Sequence, residues 1–179
     1  MAVLLAFSPF LAFLAGERLL GIVPALCAGC VVAVGLVVRG LTRGSREVRV
    51  LEVGTVVLFG ALALTATFVT EVKWSVGLVR LVVDCGLMLL VLAGVAVGRP
   101  FTGAIARERV TSEVARSPAF LRRIQLIATA WAGAFGVLAF ADLVLILEPG
   151  WPLAVPIAIS AAGLIAALKI TQKLSRPAA

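Results

Sequence analysis

The sequence predicts an all-α polytopic membrane bundle of five full transmembrane helices, preceded by one short N-terminal apolar helix. Three observations carry that expectation. Hydrophobic residues fill 62% of the 179 positions and charged residues only 14%, well below the roughly 25% charge of an average soluble domain. Apolar runs of about twenty residues recur, the length that spans a ~30 Å hydrocarbon core. The connections between them alternate between strongly basic and uncharged-to-acidic, as the positive-inside rule requires. Residues 1–179 are therefore read as a single integral membrane domain.

The first stretch, "MAVLLAFSPFLAFLAG" over residues 1–16, is too short for a comfortable span, and Pro9 removes a backbone donor. A re-entrant or tilted short helix is expected. No clear basic n-region or small-x-small cleavage site marks it as a signal peptide, so it is read as retained. The full spans are expected at Leu19 to Val38, Leu51 to Thr70, Ser75 to Gly98, Ile124 to Leu147 and Pro152 to Leu168. Two loops, 39–50 with Arg39, Arg43, Arg46 and Arg49, and 99–123 with Arg99, Arg107, Arg109, Arg116, Arg122 and Arg123, read as cytoplasmic. The tail bearing Lys169, Lys173 and Arg176 puts the C-terminus on the same side. The turns "EVKW" and "EPGW" fall outside, with Trp74 and Trp151 as interfacial anchors. Within the second loop, Ala106, Val110 and Val114 recur every four residues, which fits either one short interfacial helix ending before Pro118 or a solvated loop.

Two hairpins, 51–98 and 124–168, share a pattern. "FGALA" from Phe59 and "FGVLA" from Phe135 are each followed by Glu-x-x-Trp, and Gly-Leu recurs twelve residues after each Trp, at Gly86 and Gly163. Both hairpins start on the cytoplasmic side, so the pattern reads either as a parallel repeat or as a chance likeness between two apolar hairpins. Small residues at four-residue spacing, Ala154–Ala158–Ala162–Ala166, Ala128–Ala132–Gly136 and Gly94–Gly98, are of the kind that lets helix backbones approach in lipid. They favour close packing of the last two spans.

Charges inside spans cost roughly 2.5–3.5 kcal/mol each at a helix centre and are therefore the candidate site. Arg80 and Asp84 lie one turn apart on one face. Arg80 follows Trp74 by six residues and Asp142 precedes Glu148 by six, so at ~1.5 Å per residue they reach similar depth. Arg80, Asp84 and Asp142 are thus read as an intramembrane polar cluster, either a structural clamp between hairpins or the wall of a polar pathway. The repeat-equivalent positions of these charges are Ile157, Ala161 and Ala66, so the cluster is an asymmetric addition to a symmetric pattern.

Several chemistries are excluded or disfavoured. The chain contains neither His nor Tyr, which removes imidazole bases and His-ligated metals or haem. Cys27 and Cys30 in "CAGC" form a thiol pair, but they lie mid-span in apolar surroundings that disfavour the thiolate, so packing is preferred to redox chemistry. With no phosphate-binding loop, metal-ligand cluster or nucleophile elbow, no enzyme, cofactor or metal is expected. A pI of 10.7 reads as topology and not as nucleic-acid binding.

The segments "FSPFLAFLAGERLLGI", "FGALALTATFVTEVKW", "GRPFTGAIARE" and "ATAWAGAFGVLAFADLVLILEPGW" resemble the bacterial intracellular septation protein A family of small inner-membrane-spanning proteins. The portion from "RPFT" to "SPAFLR" also resembles multispan relatives of that group. The resemblance implies a role in cell-envelope maintenance or septation in the bacterial inner membrane, with division or elongation proteins as partners. It supplies no active-site residues. The expectation is a non-enzymatic inner-membrane protein acting through protein or lipid contacts, or alternatively a small oligomeric transporter or channel that uses the polar cluster.

Overall fold

The computed structural model describes residues 5–42, 50–69, 74–107, 110–148, 150–152 and 154–175. The expectations that concern Arg43, Arg46, Arg49, Glu71, Arg109 and Arg176 lie outside these residues. Among the described residues every regular element is helical: α1 (Ser8–Leu20), α2 (Ile22–Thr42), α3 (Val50–Phe68), α4 (Val76–Ala96), α5 (Phe101–Arg107), α6 (Ser112–Arg116), α7 (Pro118–Leu147) and α8 (Ala154–Ser175). Five of them, α2, α3, α4, α7 and α8, are long and apolar enough to cross a membrane. The chain is a multi-pass membrane protein.

Two compact units divide at Val79 and Arg80. In the first, α1 carries Pro9 at its second position, which is tolerated in the first helical turn because its missing N–H would have no partner there. Gly21 adopts φ +86°, a left-handed conformation that costs L-residues with a Cβ about 1–2 kcal/mol. That break ends α1 and starts α2, so Leu19 and Leu20 belong to the short helix and not to the first span. The core of this unit is aromatic. The rings of Phe13 and Phe59 pack at 5.9 Å with a 52° tilt, and both residues are completely buried. Gly29 makes the room, for a Cβ there would stand 2.8 Å from Phe59 Cδ1 and 3.2 Å from the Pro9 carbonyl oxygen. Thr55 satisfies its buried hydroxyl by donating to the Leu51 carbonyl within α3.

In the second unit α4 ends in a Schellman turn. The Arg99 N–H donates to the Gly94 carbonyl at 2.8 Å, the Gly98 N–H donates to that of Val95 at 3.0 Å, and Gly98 sits at φ +71°. The Gly94–Gly98 pair therefore serves the end of its own helix: a Cβ on Gly94 would meet the Arg99 carbonyl oxygen at 3.2 Å. Immediately afterwards "PFTG" tucks back. Phe101 and Thr102 are buried, the Thr102 hydroxyl donates to the Ile124 carbonyl at 2.7 Å, and a Cβ on Gly103 would touch Ile124 Cδ1 at 3.0 Å. Part of the expected solvated loop is thus a short helix stapled to α7.

The interfacial helix expected across this loop is interrupted, since Val110 and Thr111 are not helical and α6 starts at Ser112. Helix α7 then begins at Pro118, six residues ahead of the expected Ile124. Ser117 caps it by accepting from the Phe120 N–H at 3.3 Å, and Pro118 supplies a first-turn φ already suited to a helix. Arg122 and Arg123 are therefore helical. Helix α8 similarly continues past Leu168 through Lys169 and Lys173 to Ser175.

Helices α7 and α8 pack closely. A Cβ on Gly163 would meet Val137 Cγ1 at 3.1 Å, and the Trp131 indole N–H donates to Thr171 Oγ1 at 3.1 Å. On α7 the small-residue positions Ala128 and Ala132 are buried. On α8 the stripe Ala154–Ala158–Ala162–Ala166 is exposed, and the buried residues are Pro156 and Ala167. The alanine stripe is not the packing face; the face bearing Gly163 and Thr171 is.

Candidate functional site: an arginine and two aspartates within the spans

Helix α4 positions two of the three charged groups. Ser75 initiates it, its hydroxyl accepting from the Leu78 N–H at 3.2 Å while its carbonyl accepts from the Val79 N–H at 3.0 Å. The α4 stripe Val83, Asp84, Leu87 and Val91 is buried, and Asp84 retains only 3% exposure. Arg80 and Asp142 are half-buried.

The third group comes from α7, and a glycine sets its approach. Met88 lies one turn beyond Asp84, and its Sδ comes to 3.3 Å of the position a Cβ on Gly136 would take. That contact brings α4 against α7 with Asp84 and Asp142 facing. Their carboxyl groups stand within hydrogen-bonding contact of each other, and the Arg80 charge also reaches Asp84, acting on it less strongly than Asp142 does. Asp84 Oδ1 is buried with no hydrogen-bond partner. Both carboxylates act electrostatically on Cys85 next door, itself half-buried.

The structure therefore brings Arg80, Asp84 and Asp142 together. Two carboxyls in contact with one guanidinium nearby can hold a positively charged species or clamp two helices. No organic transformation is evident from such a set.

The other singled-out residues lie elsewhere. Cys27 and Cys30 are both free thiols of α2. Cys27 is exposed, whereas Cys30 Sγ lies 4.0 Å from the Val56 carbonyl oxygen of α3, so one thiol points outward and the other packs inward. The Trp74 indole N–H donates to the Val69 carbonyl at 3.3 Å just past the end of α3, a polar tether for an otherwise apolar ring. Trp151 is 48% exposed beside the turn in which its backbone N–H donates to the Glu148 carbonyl.

Sequence reasoning passed over Glu17, which is only 6% exposed within α1. Its neighbour Arg18 made the pair look like an ordinary span boundary. The signal available was its place one residue after Gly16, where a Cβ would meet Ala25 Cβ at 3.2 Å, so that α1 and α2 cross closely there.

The chain matches no family model, no curated protein and no solved structure.

Proposed function

We propose that this protein is a non-enzymatic integral membrane protein that works through lipid and protein contacts, in a cell-envelope maintenance or septation-type role at a bacterial inner membrane. The observation that carries this reading is the distribution of apolar surface. Val31, Phe68, Leu89, Phe140 and Ile157 are each more than half exposed on span-length helices. Apolar exposure of this kind is a surface for lipid tails or for another helix.

Basic side chains at the helix ends add to it. Arg39, Arg99, Arg122, Arg123, Lys169 and Lys173 are assigned to one side of the membrane, where each cation near an anionic leaflet contributes about 1 kcal/mol. The partners that fit are membrane lipids, division or elongation proteins, and further copies of this chain. The absence of His and Tyr from the sequence supports a role without catalysis.

A second reading is favoured by one observation, the juxtaposition of Arg80, Asp84 and Asp142: a small oligomeric transporter or channel whose polar pathway they line. Photo-crosslinking separates the two. With a photoreactive residue at Ile157 or Leu89, the contact reading expects adducts with lipids and envelope proteins in intact cells, and vesicles containing the pure protein without added flux. Flux through such vesicles that is abolished by Asp142→Asn, with adducts only to this chain itself, would sink the contact reading.

A further inference from the structure

The cluster carries an imbalance of charge that neither functional reading resolves. Two carboxylates and one guanidinium leave one negative charge inside the hydrocarbon region, where an uncompensated ion is among the costliest groups a fold can hold. The like-charged Asp142 also acts on Asp84 more strongly than Arg80 does. Two carboxylates cannot be in hydrogen-bonding contact unless one of them carries a hydrogen to donate. Asp84 is almost wholly buried, and its Oδ1 has no protein donor.

We propose that Asp84 and Asp142 together bind a single proton, whose O–H on one carboxyl donates to the other, so that the cluster with Arg80 is electrically neutral. The charged and titratable groups concerned are Arg80 and Cys85 from α4 and Asp142 from α7. A metal cation would need several oxygen ligands around it. Here there are two carboxyls, and among the described residues no set of three or more acidic or thiol groups is arranged to hold a metal. The pair then titrates as one unit, and its proton belongs to both residues. Loss of that proton would return a net negative charge to the interior and push α4 and α7 apart where Met88 meets Gly136.

The test is infrared spectroscopy of the full chain in vesicles at neutral pH, reading the carboxylic-acid C=O stretch and its shift in D2O, with aspartate carbon-13 labels to separate it from Glu17. One protonated aspartate carboxyl per chain is expected. Asp84→Asn and Asp142→Asn should each abolish the signal, because Arg80 balances the carboxylate that remains, and Arg80→Gln should raise it to two. Glu17→Gln should leave it unchanged. A folded wild-type protein with no aspartic-acid signal overturns the proposal, and that measurement stands even if the variants do not fold. So does a signal that survives both asparagine substitutions, or one that stays at a single proton in Arg80→Gln. Replacing choline by sodium at fixed pH should change nothing; disappearance of the signal would identify a bound metal ion in place of the proton.

Discussion

Gly29 offers the sharpest test of the packing in the first unit. A methyl group there would lie 2.8 and 2.9 Å from Cδ1 and Cε1 of Phe59 and 3.2 Å from the carbonyl oxygen of Pro9. Carbon contacts are comfortable from about 3.5 Å, so Phe59 must retreat by roughly 0.7 Å. Its ring cannot do so freely, because it is fully buried against Phe13. Overpacking of this kind costs about 1–3 kcal/mol. Alanine recovers about 1 kcal/mol over glycine in a helix interior, which leaves Gly29→Ala destabilised by about 1 kcal/mol. Gly29→Val bears a larger steric load with little of the propensity gain and should lose about 2–3 kcal/mol. Unfolding in mixed micelles, followed by tryptophan fluorescence, measures both. The diagnostic comparison is Gly29→Ala in a Phe59→Leu background, where the ring edge is gone and the alanine should be neutral or stabilising, a coupling of at least about 1 kcal/mol. Additive effects of the two substitutions would refute the account of why this helix crossing needs glycine.

Other substitutions address the second unit and the topology. Gly98→Ala forces a Cβ into φ +71° and should cost about 1–2 kcal/mol in the same unfolding assay, with Gly98→Asn milder. Thr171→Val strands the Trp131 indole N–H and should destabilise by about 1–3 kcal/mol, whereas adding Trp131→Phe to it should recover part of the loss, since both polar partners are then gone. Thr102→Val removes the bond to the Ile124 carbonyl and should cost about 0.5–1.5 kcal/mol, detectable also as faster proteolysis after Arg99. A phosphatase fused after Lys173 should be inactive and a fluorescent protein bright, because the basic tail is expected in the cytoplasm; the reverse pattern would overturn the proposed orientation.

Much of this architecture is legible in hydropathy, because a helix crossing lipid must be apolar over about twenty residues. The ends were not. Arg122, Arg123, Lys169 and Lys173 stop an apolar run but not a helix, since a cation near a helix end can extend its charge to the interface. The start of α7 was instead written in Ser117 and Pro118, and that of α2 in Gly21. The depth count from the two tryptophan turns put Arg80, Asp84 and Asp142 at similar depth, because rise per residue is fixed in a helix. It could not show that Asp142 would act on Asp84 more strongly than Arg80 does, which depends on how α4 and α7 face each other. Facing was equally hidden on α8, where composition offers alanines on several sides and only the contacts with Val137 and Trp131 select one.

The Thr102 staple changes which insertions the second unit can accept. It fixes the near ends of α4 and α7 to each other, twelve residues from Asp84 along α4 to Ala96 and eighteen from Ile124 to Asp142. An added residue between Gly98 and Thr102 would turn or slide one helix against the other and pull the two carboxyls out of register, although it lies far along the bundle from them. The same residue added at Val110–Thr111, beyond the staple, would be absorbed where the chain is already non-helical. Length variation in this loop should therefore be tolerated on one side of a single hydroxyl and forbidden on the other.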